Sequence, residues 1–186
     1  PYSRLGYHRA GPKQTREERL DARLTSNFGK SLNIGLDVDM INARGFYAEQ
    51  SVKHNNFSLF GSYLSDRLEA HAMLHLGSIT HFENGGITDE RFITDPEAVG
   101  ESFTSLDIPV RFSDTWNTLK QNHYFLSGRY NLGYRELPED SLHKKPGAFV
   151  PVASVGFTTH LTQQHLCERG GYSDAADRPF LFQPLL

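Results

Sequence analysis

The sequence predicts an all-β protein: an antiparallel up-and-down transmembrane β-barrel, of which this chain supplies about seven strands. Three observations lead to this prediction. Apolar and polar residues alternate with a period of two, as they do on a strand. Several alternating segments exceed the roughly five to six residues of soluble strands and reach the roughly nine to eleven that cross a bilayer. Short and long connections also alternate along the chain.

The composition of the 186 residues excludes several classes of protein. No window approaches eighteen consecutive apolar residues, so no transmembrane helix is expected. The 19 basic and 22 acidic residues lack a basic surplus, so no nucleic-acid partner is expected. Cys167 is the only cysteine, which excludes an internal disulfide and a thiolate metal cluster. The mean hydropathy of -0.50 is compatible with a membrane barrel, because only alternate residues of its strands face lipid.

The first three predicted strands show the alternation most clearly. A short strand at 2–8 precedes the segment 19–28, in which aliphatic and charged side chains alternate. In the segment 32–40, five aliphatic residues fall on one face, whereas Asp37 and Asp39 fall on the other. This separation predicts strands with one apolar and one polar face.

Four further strands complete the predicted sheet. They are 57–64, 68–76, 123–135 and 149–161. Phe60 and Leu64 blur the alternation of the first of these, so the sequence leaves its orientation open. The other three separate their apolar and polar residues as the early strands do.

The connections differ in length in a regular way. The short ones are 29–31 and 65–66, the long ones are 45–55, 82–122 and the segment after Gln163, and 136–148 is intermediate and fits least well. Since successive connections of a meander lie on opposite sides, the short ones share one side. Within a single domain spanning 1–186, 82–122 is predicted to be a long extracellular loop. This acidic loop either folds inward to narrow a channel or lies solvated at the surface.

Four stretches of the sequence are distinctive. They read ARGFY at 43–47, FSLFGSYLSDR at 57–67, ENGGITDE at 83–90 followed by ITDPE at 93–97, and HYFLSGRYNLGYR at 123–135. Over roughly 4–161 the chain resembles a porin family from the outer membranes of Bacteroidota. The resemblance implies a barrel in the bacterial outer membrane that contacts the lipid bilayer and lets small hydrophilic solutes diffuse passively.

The resemblance also implies a larger barrel than this chain supplies. Family members have considerably more than about seven strands, and an open sheet edge in hydrocarbon leaves backbone groups unsatisfied. The chain ends in QPLL and not in a strand with a terminal aromatic residue. We therefore expect the chain to be part of a larger barrel.

The polar faces of the predicted strands supply candidate pore-lining residues. These are Arg19, Asp21, Arg23, Asp37, Asp39, Glu69, His71, His75, Arg129 and Arg135. If the hairpin around 29–31 pairs simply, its acidic and basic residues form a cross-strand ladder of ion pairs. The mixture of signs predicts weak ion selectivity, because a strongly selective pore carries a ring of one sign.

Metal and catalytic chemistry have little support in the sequence. His71 and His75 are too far apart along a strand to share a metal easily, and Asp37 and Asp39 lack the oxygen-rich loop of a calcium site. The glycines at 85–86 lack the lysine and the following helix of a phosphate-binding loop. No Gly-x-Ser-x-Gly motif occurs, and Cys167 falls in a predicted terminal loop. We therefore expect no enzyme activity, catalytic residue, metal or cofactor.

Two alternatives to a channel stay open. The barrel could be a structural or docking subunit of a larger outer-membrane assembly that contacts other outer-membrane proteins and carries no flux. It could also be a soluble lipocalin-like barrel with its apolar face inward. Enclosure of Ile34, Leu36, Val38, Leu74 and Leu132 by protein would favour the soluble barrel.

Overall fold

The computed structural model describes residues 1–98, 103–136 and 147–170, and these residues form one antiparallel sheet. Its strands are β1 (Tyr2–Ala10), β2 (Glu17–Phe28), β3 (Leu32–Arg44), β4 (Ser51–Leu64), β5 (Leu68–Phe82), β6 (Trp116–Arg135) and β7 (Phe149–Arg169). A four-residue helix α1 (Arg91–Thr94) and a 3₁₀ turn at Pro96–Ala98 lie between β5 and β6. Among the described residues, no helix is long and apolar enough to span a membrane.

The strands follow each other in the sheet in sequence order, from β1 to β7. Every pairing is antiparallel, and in the described part of the chain β1 and β7 are not paired with each other. The predicted all-β meander of seven strands is therefore confirmed, and the sheet is open. Pro151, which has no N–H to donate, lies in β7 opposite the register shift between Leu132 and Gly133.

Several strands extend beyond their predicted bounds; β3 ends at Arg44 and β5 at Phe82, not at residues 40 and 76. β6 begins at Trp116, so the connection after β5 spans 83–115 and is shorter than the predicted 82–122. β7 extends to Arg169, and Cys167 therefore lies in a strand and not in a terminal loop. β4 begins at Ser51, six residues before its predicted start. The added residues are largely polar on both faces of the sheet, so they carry no alternation of hydropathy by which a sequence could reveal a strand.

The connections alternate between the two sides of the sheet, and the short ones share one side as predicted; 136–148 also lies on that side, although it is longer than 11–16 and 45–50 on the other. The connections 29–31, 65–67 and 136–148 share one side, and 11–16, 45–50 and 83–115 share the other. Gly29, at φ 69°, adopts the left-handed conformation in the first of them. Of the 136–148 connection, the structure describes only residues 136, 147 and 148.

The longest connection continues the β5–β6 hairpin beyond the sheet. Phe112 donates its backbone N–H to the Asn84 carbonyl at 2.9 Å, and Ile87 forms an isolated bridge with Val110. The Asn84 side-chain amide donates to the Ala48 carbonyl at 3.1 Å, which joins the 83–115 connection to the 45–50 connection. These bonds hold the two ends of the connection, 84–87 and 110–112, together and join them to the neighbouring connection.

Neither face of the sheet is enclosed by a conventional core. Ile108, 6% exposed, is the one buried hydrophobic residue of the described chain. Ile34 and Leu132 are 41% and 50% exposed, and Leu36, Val38 and Leu74 are half-buried. The part of the chain that the structure describes thus leaves the apolar face open to its surroundings.

Candidate functional site: the charged face of the sheet

The register places all of the predicted pore-lining residues on one face of the sheet, which we call the polar face. Residues directly opposite each other on antiparallel strands point to the same face. Asp21 lies opposite Asp39, Asp39 opposite Asn56, and the succession continues across β5 to Arg129 on β6. The alternation of single strands therefore adds up to one continuous polar surface.

Three ion pairs across β1, β2 and β3 form the first part of this surface. Arg19 binds Asp39 in a bidentate manner, with Nε to Oδ1 at 3.0 Å and Nη2 to Oδ2 at 2.9 Å. Arg4 Nε lies 2.9 Å from Asp21 Oδ2, and Arg23 pairs with Asp37. We call this set the ion-pair ladder; it joins three arginines to three aspartates. The ladder predicted for the β2–β3 hairpin is present, and it extends onto β1 through Arg4.

The register explains why two of these pairs are diagonal. Asp21 lies directly opposite Asp39, and like charges in that position destabilise a sheet. Arg19 and Arg4 reach diagonally to these two carboxylates, so that each aspartate has a basic partner. Arg23 and Asp37, by contrast, lie directly opposite each other. The outcome is a surface of alternating and locally balanced charge.

A second charged group lies on β5 and β6, toward the side of the short connections. Glu69 lies opposite Arg129 and pairs with it, and its Oε1 is 3.3 Å from Nε2 of His71. Arg135 Nη2 lies 2.5 Å from Asp66 Oδ2 in the 65–67 connection. The structure therefore separates His71 from His75: His71 joins this charged group, whereas His75 contacts residues of β4 and β6.

A row of imidazoles crosses β5, β6 and β7. His75 lies opposite His123 with ring centroids 5.7 Å apart, and the His123 and His160 rings stack at 5.6 Å. Ser58 Oγ lies 2.8 Å from His75 Nδ1, and Thr162 Oγ1 lies 3.1 Å from His123 Nδ1. The alternation places these side chains on the polar faces of their strands. Their adjacency depends on the strand register, which the sequence did not reveal.

Apolar side chains also occur on the polar face. Phe60 lies opposite Met73, and Met73 lies opposite Phe125. The Phe60 ring covers Gly35, where an added Cβ would lie 2.3 Å from the ring. This placement resolves the blurred alternation of β4, since Phe60 belongs to the polar face and fills the space above a glycine.

The opposite face carries an apolar band that ends abruptly. On β6 the band covers 124–134, which is about 34 Å of strand, or about 26 Å of height for a tilt of roughly 40°. Toward the long connections, charged residues replace the band on the same face; these are Arg9, Glu18, Lys53 and Lys120. Between these rim residues and the short connections, this face carries no charged residue in the described strands. The height of the band matches the roughly 25 Å apolar band of outer-membrane barrels.

Two aspartates in the 83–115 connection are held by local hydrogen bonds. The Arg91 side chain and backbone N–H both donate to Asp89, which lowers the pKa of that carboxyl below its ordinary value. The backbone N–H of Thr104 and then its hydroxyl lower the pKa of Asp107 in the same way. Both carboxylates are therefore stabilised in their ionised form by the folded connection.

The described residues contain no group of three or more histidine, cysteine or acidic side chains arranged to hold a metal ion. Asp37 and Asp39, the two carboxylates that could have bound calcium, each form an ion pair with an arginine. Cys167 Sγ lies 3.2 Å from His165 Nε2 on the opposite face.

The fold and this surface define an all-β protein whose single sheet separates an apolar face from an ion-paired face. The family model described as "Putative porin" matches residues 1–167 of the 186, and the chain belongs to that family. No curated protein and no solved structure matches the chain.

Proposed function

We propose that the chain forms part of the wall of an outer-membrane β-barrel through which small hydrophilic solutes diffuse passively. The single observation that supports this most is the division of the sheet: an apolar band of about 26 Å opposes a continuous polar face. Membership of the porin family supports the same location, with the apolar band against lipid in an outer membrane. It also favours a membrane barrel over a lipocalin-like one.

In this proposal the polar face lines the lumen. Arg19, Asp21, Arg23, Asp37, Asp39, Glu69, His71, His75, Arg129 and Arg135 are the proposed pore-lining residues, and Arg4 joins them through Asp21. Because the arginines and carboxylates are paired locally, their fields largely cancel at a distance. A channel lined in this way discriminates weakly between anions and cations.

The long 83–115 connection is proposed to lie on the extracellular side. Outer-membrane barrels have short periplasmic turns and long extracellular loops, and 83–115 shares its side with the polar rim residues such as Lys53 and Lys120. Its bond to Ala48 ties it to a neighbouring connection on the same side. The strands then project beyond the membrane at this end.

A second candidate is a structural or docking subunit without flux. The observation that favours it is the open sheet, since β1 and β7 each leave one edge without a partner strand in the described chain. Such edges pair with further strands, either of the same barrel or of another outer-membrane protein.

Conductance separates the two candidates. The complete protein, refolded and inserted into planar bilayers, is expected to give discrete conductance steps with weak ion selectivity. A folded, membrane-inserted barrel that gives no steps would overturn the channel and leave the docking role.

A further inference from the structure

We propose that His75 and His123 form a two-imidazole binding site for a divalent transition-metal ion, namely Zn²⁺, Ni²⁺ or Cu²⁺, on the polar face of the sheet. The two histidines lie directly opposite each other on β5 and β6. Water completes the coordination of the ion, because this face is open.

The separation of the two rings fits coordination of a shared ion. A zinc–nitrogen bond of about 2.0–2.1 Å places two imidazole centres on one tetrahedral ion roughly 5 Å apart. The ring centroids of His75 and His123 are 5.7 Å apart and their planes are inclined by 44°. The observed separation is therefore close to the value expected for two rings that bind one ion.

Hydroxyl groups orient both rings through the same nitrogen. Ser58 Oγ is 2.8 Å from Nδ1 of His75, and Thr162 Oγ1 is 3.1 Å from Nδ1 of His123. When the hydroxyl accepts from Nδ1–H, the Nε2 of the ring carries the lone pair that binds metal. A hydrogen bond on the second ring nitrogen is the usual support of a metal-binding histidine.

A glycine leaves space beside Nε2 of His75. A Cβ on Gly77 would lie 3.3 Å from this nitrogen and 3.1 Å from Oδ1 of Asn56. The glycine thus leaves room for an ion beside an imidazole nitrogen and an amide oxygen.

The third imidazole strengthens the site. His160 stacks on His123 at a centroid distance of 5.6 Å and an angle of 22°. Because the two rings are nearly parallel, their nitrogens do not converge on one ion, and His160 supports the orientation of the His123 ring without binding the ion itself.

The chemistry of the donors sets the choice of ion. The ligands are imidazoles, with Ser58, Asn56 and Thr162 around them, and no carboxylate of the described residues is bonded to either ring. Imidazole suits Zn²⁺, Cu²⁺ and Ni²⁺, whereas Mg²⁺ and Ca²⁺ prefer carboxylate and carbonyl oxygen. The site therefore discriminates against the abundant alkaline-earth ions.

The test is a titration of the complete protein, folded in detergent micelles, with Zn²⁺ followed by calorimetry and by the imidazole nitrogen NMR shifts. We expect one ion per chain and shifts confined to the His75–His123–His160 row, with no competition from excess Mg²⁺ or Ca²⁺. His75→Gln and His123→Gln should each weaken binding at least tenfold. Ser58→Ala, which keeps both ligands, should weaken binding about 10- to 100-fold by releasing the ring.

His81→Gln is the matched control, because His81 lies on the same face of β5 outside the imidazole row. It should bind Zn²⁺ as the unaltered chain does. Gly77→Leu should abolish binding with all ligands retained. Unchanged affinity in a folded His75→Gln/His123→Gln double variant would overturn the site. Zn²⁺ binding requires the sheet register but does not require flux. A complete protein that binds Zn²⁺ but gives no conductance therefore refutes only the channel.

Discussion

Substitution of Ala72 by arginine tests which face of the sheet meets lipid. Ala72 is exposed and lies at the centre of the apolar positions of β5, opposite Gly61 and Leu126. Because alanine contributes little packing at an exposed site, the change in stability reports almost entirely the cost of placing a charge there. An arginine on the lipid face at the bilayer midplane costs about 2–4 kcal/mol, and about 0–1 kcal/mol near the interface.

The structure offers two matched controls for depth and for face. Asn55→Arg places the same charge on the same face in the polar rim, two residues beyond Phe57, and should cost at most about 1 kcal/mol. Met73→Arg places it next to Ala72 in sequence but on the polar face, where no lipid-transfer cost is expected. Ala72→Arg should therefore lower the folding equilibrium constant by roughly 30- to 1000-fold, and the controls by far less.

The assay is reversible denaturant unfolding of the complete protein in lipid vesicles, followed by tryptophan fluorescence, to which Trp116 contributes. The three variants are compared with the unaltered protein at one lipid composition. If Ala72→Arg is no more destabilising than Asn55→Arg, the apolar band does not lie in a bilayer. If Met73→Arg is the most destabilising, the assignment of the two faces is reversed.

Three further predictions concern the ion pairs, the packing and the long connection. Asp39→Asn leaves Arg19 without its bidentate partner and should shift the reversal potential measured in planar bilayers toward anion selectivity. The Arg19→Gln/Asp39→Asn double variant should restore the original reversal potential. An unchanged reversal potential in the single variant would contradict the ion-pair ladder. Gly35→Ala places a Cβ 2.3 Å from the Phe60 ring and should destabilise the fold by about 1–3 kcal/mol in the same unfolding assay. Asp89 has a lowered pKa, so its contribution to the order of its connection is complete above the unfolded carboxyl pKa of about 3.9 and is lost as pH falls through the folded value. Hydrogen exchange corrected for intrinsic rates should show loss of protection there on acidification, and Asp89→Asn should abolish that pH dependence.

The strands could be predicted where one face is apolar and the other polar. The segment 32–40 shows this alternation fully, and β3 covers it. At Asn122, Lys120 and Thr118 the face that carries the apolar band becomes polar, so the alternation disappears although the backbone pairing continues. Hydrogen bonds between strands require no particular side chain. The pattern of apolar and polar residues therefore could not predict where β6 begins.

Alternate residues of a strand point to opposite faces of the sheet. The sequence alone therefore determined the face on which residues such as Asp39 and Arg129 lie. The neighbours of these residues depend on the register between strands, which backbone pairing and connection geometry set over long sequence separations. Only the tertiary structure decided that Asp39 binds Arg19, that Phe60 covers Gly35, and that His75 meets His123. A period of two is a local property of one strand, whereas a contact across the sheet is a property of two strands held in one register.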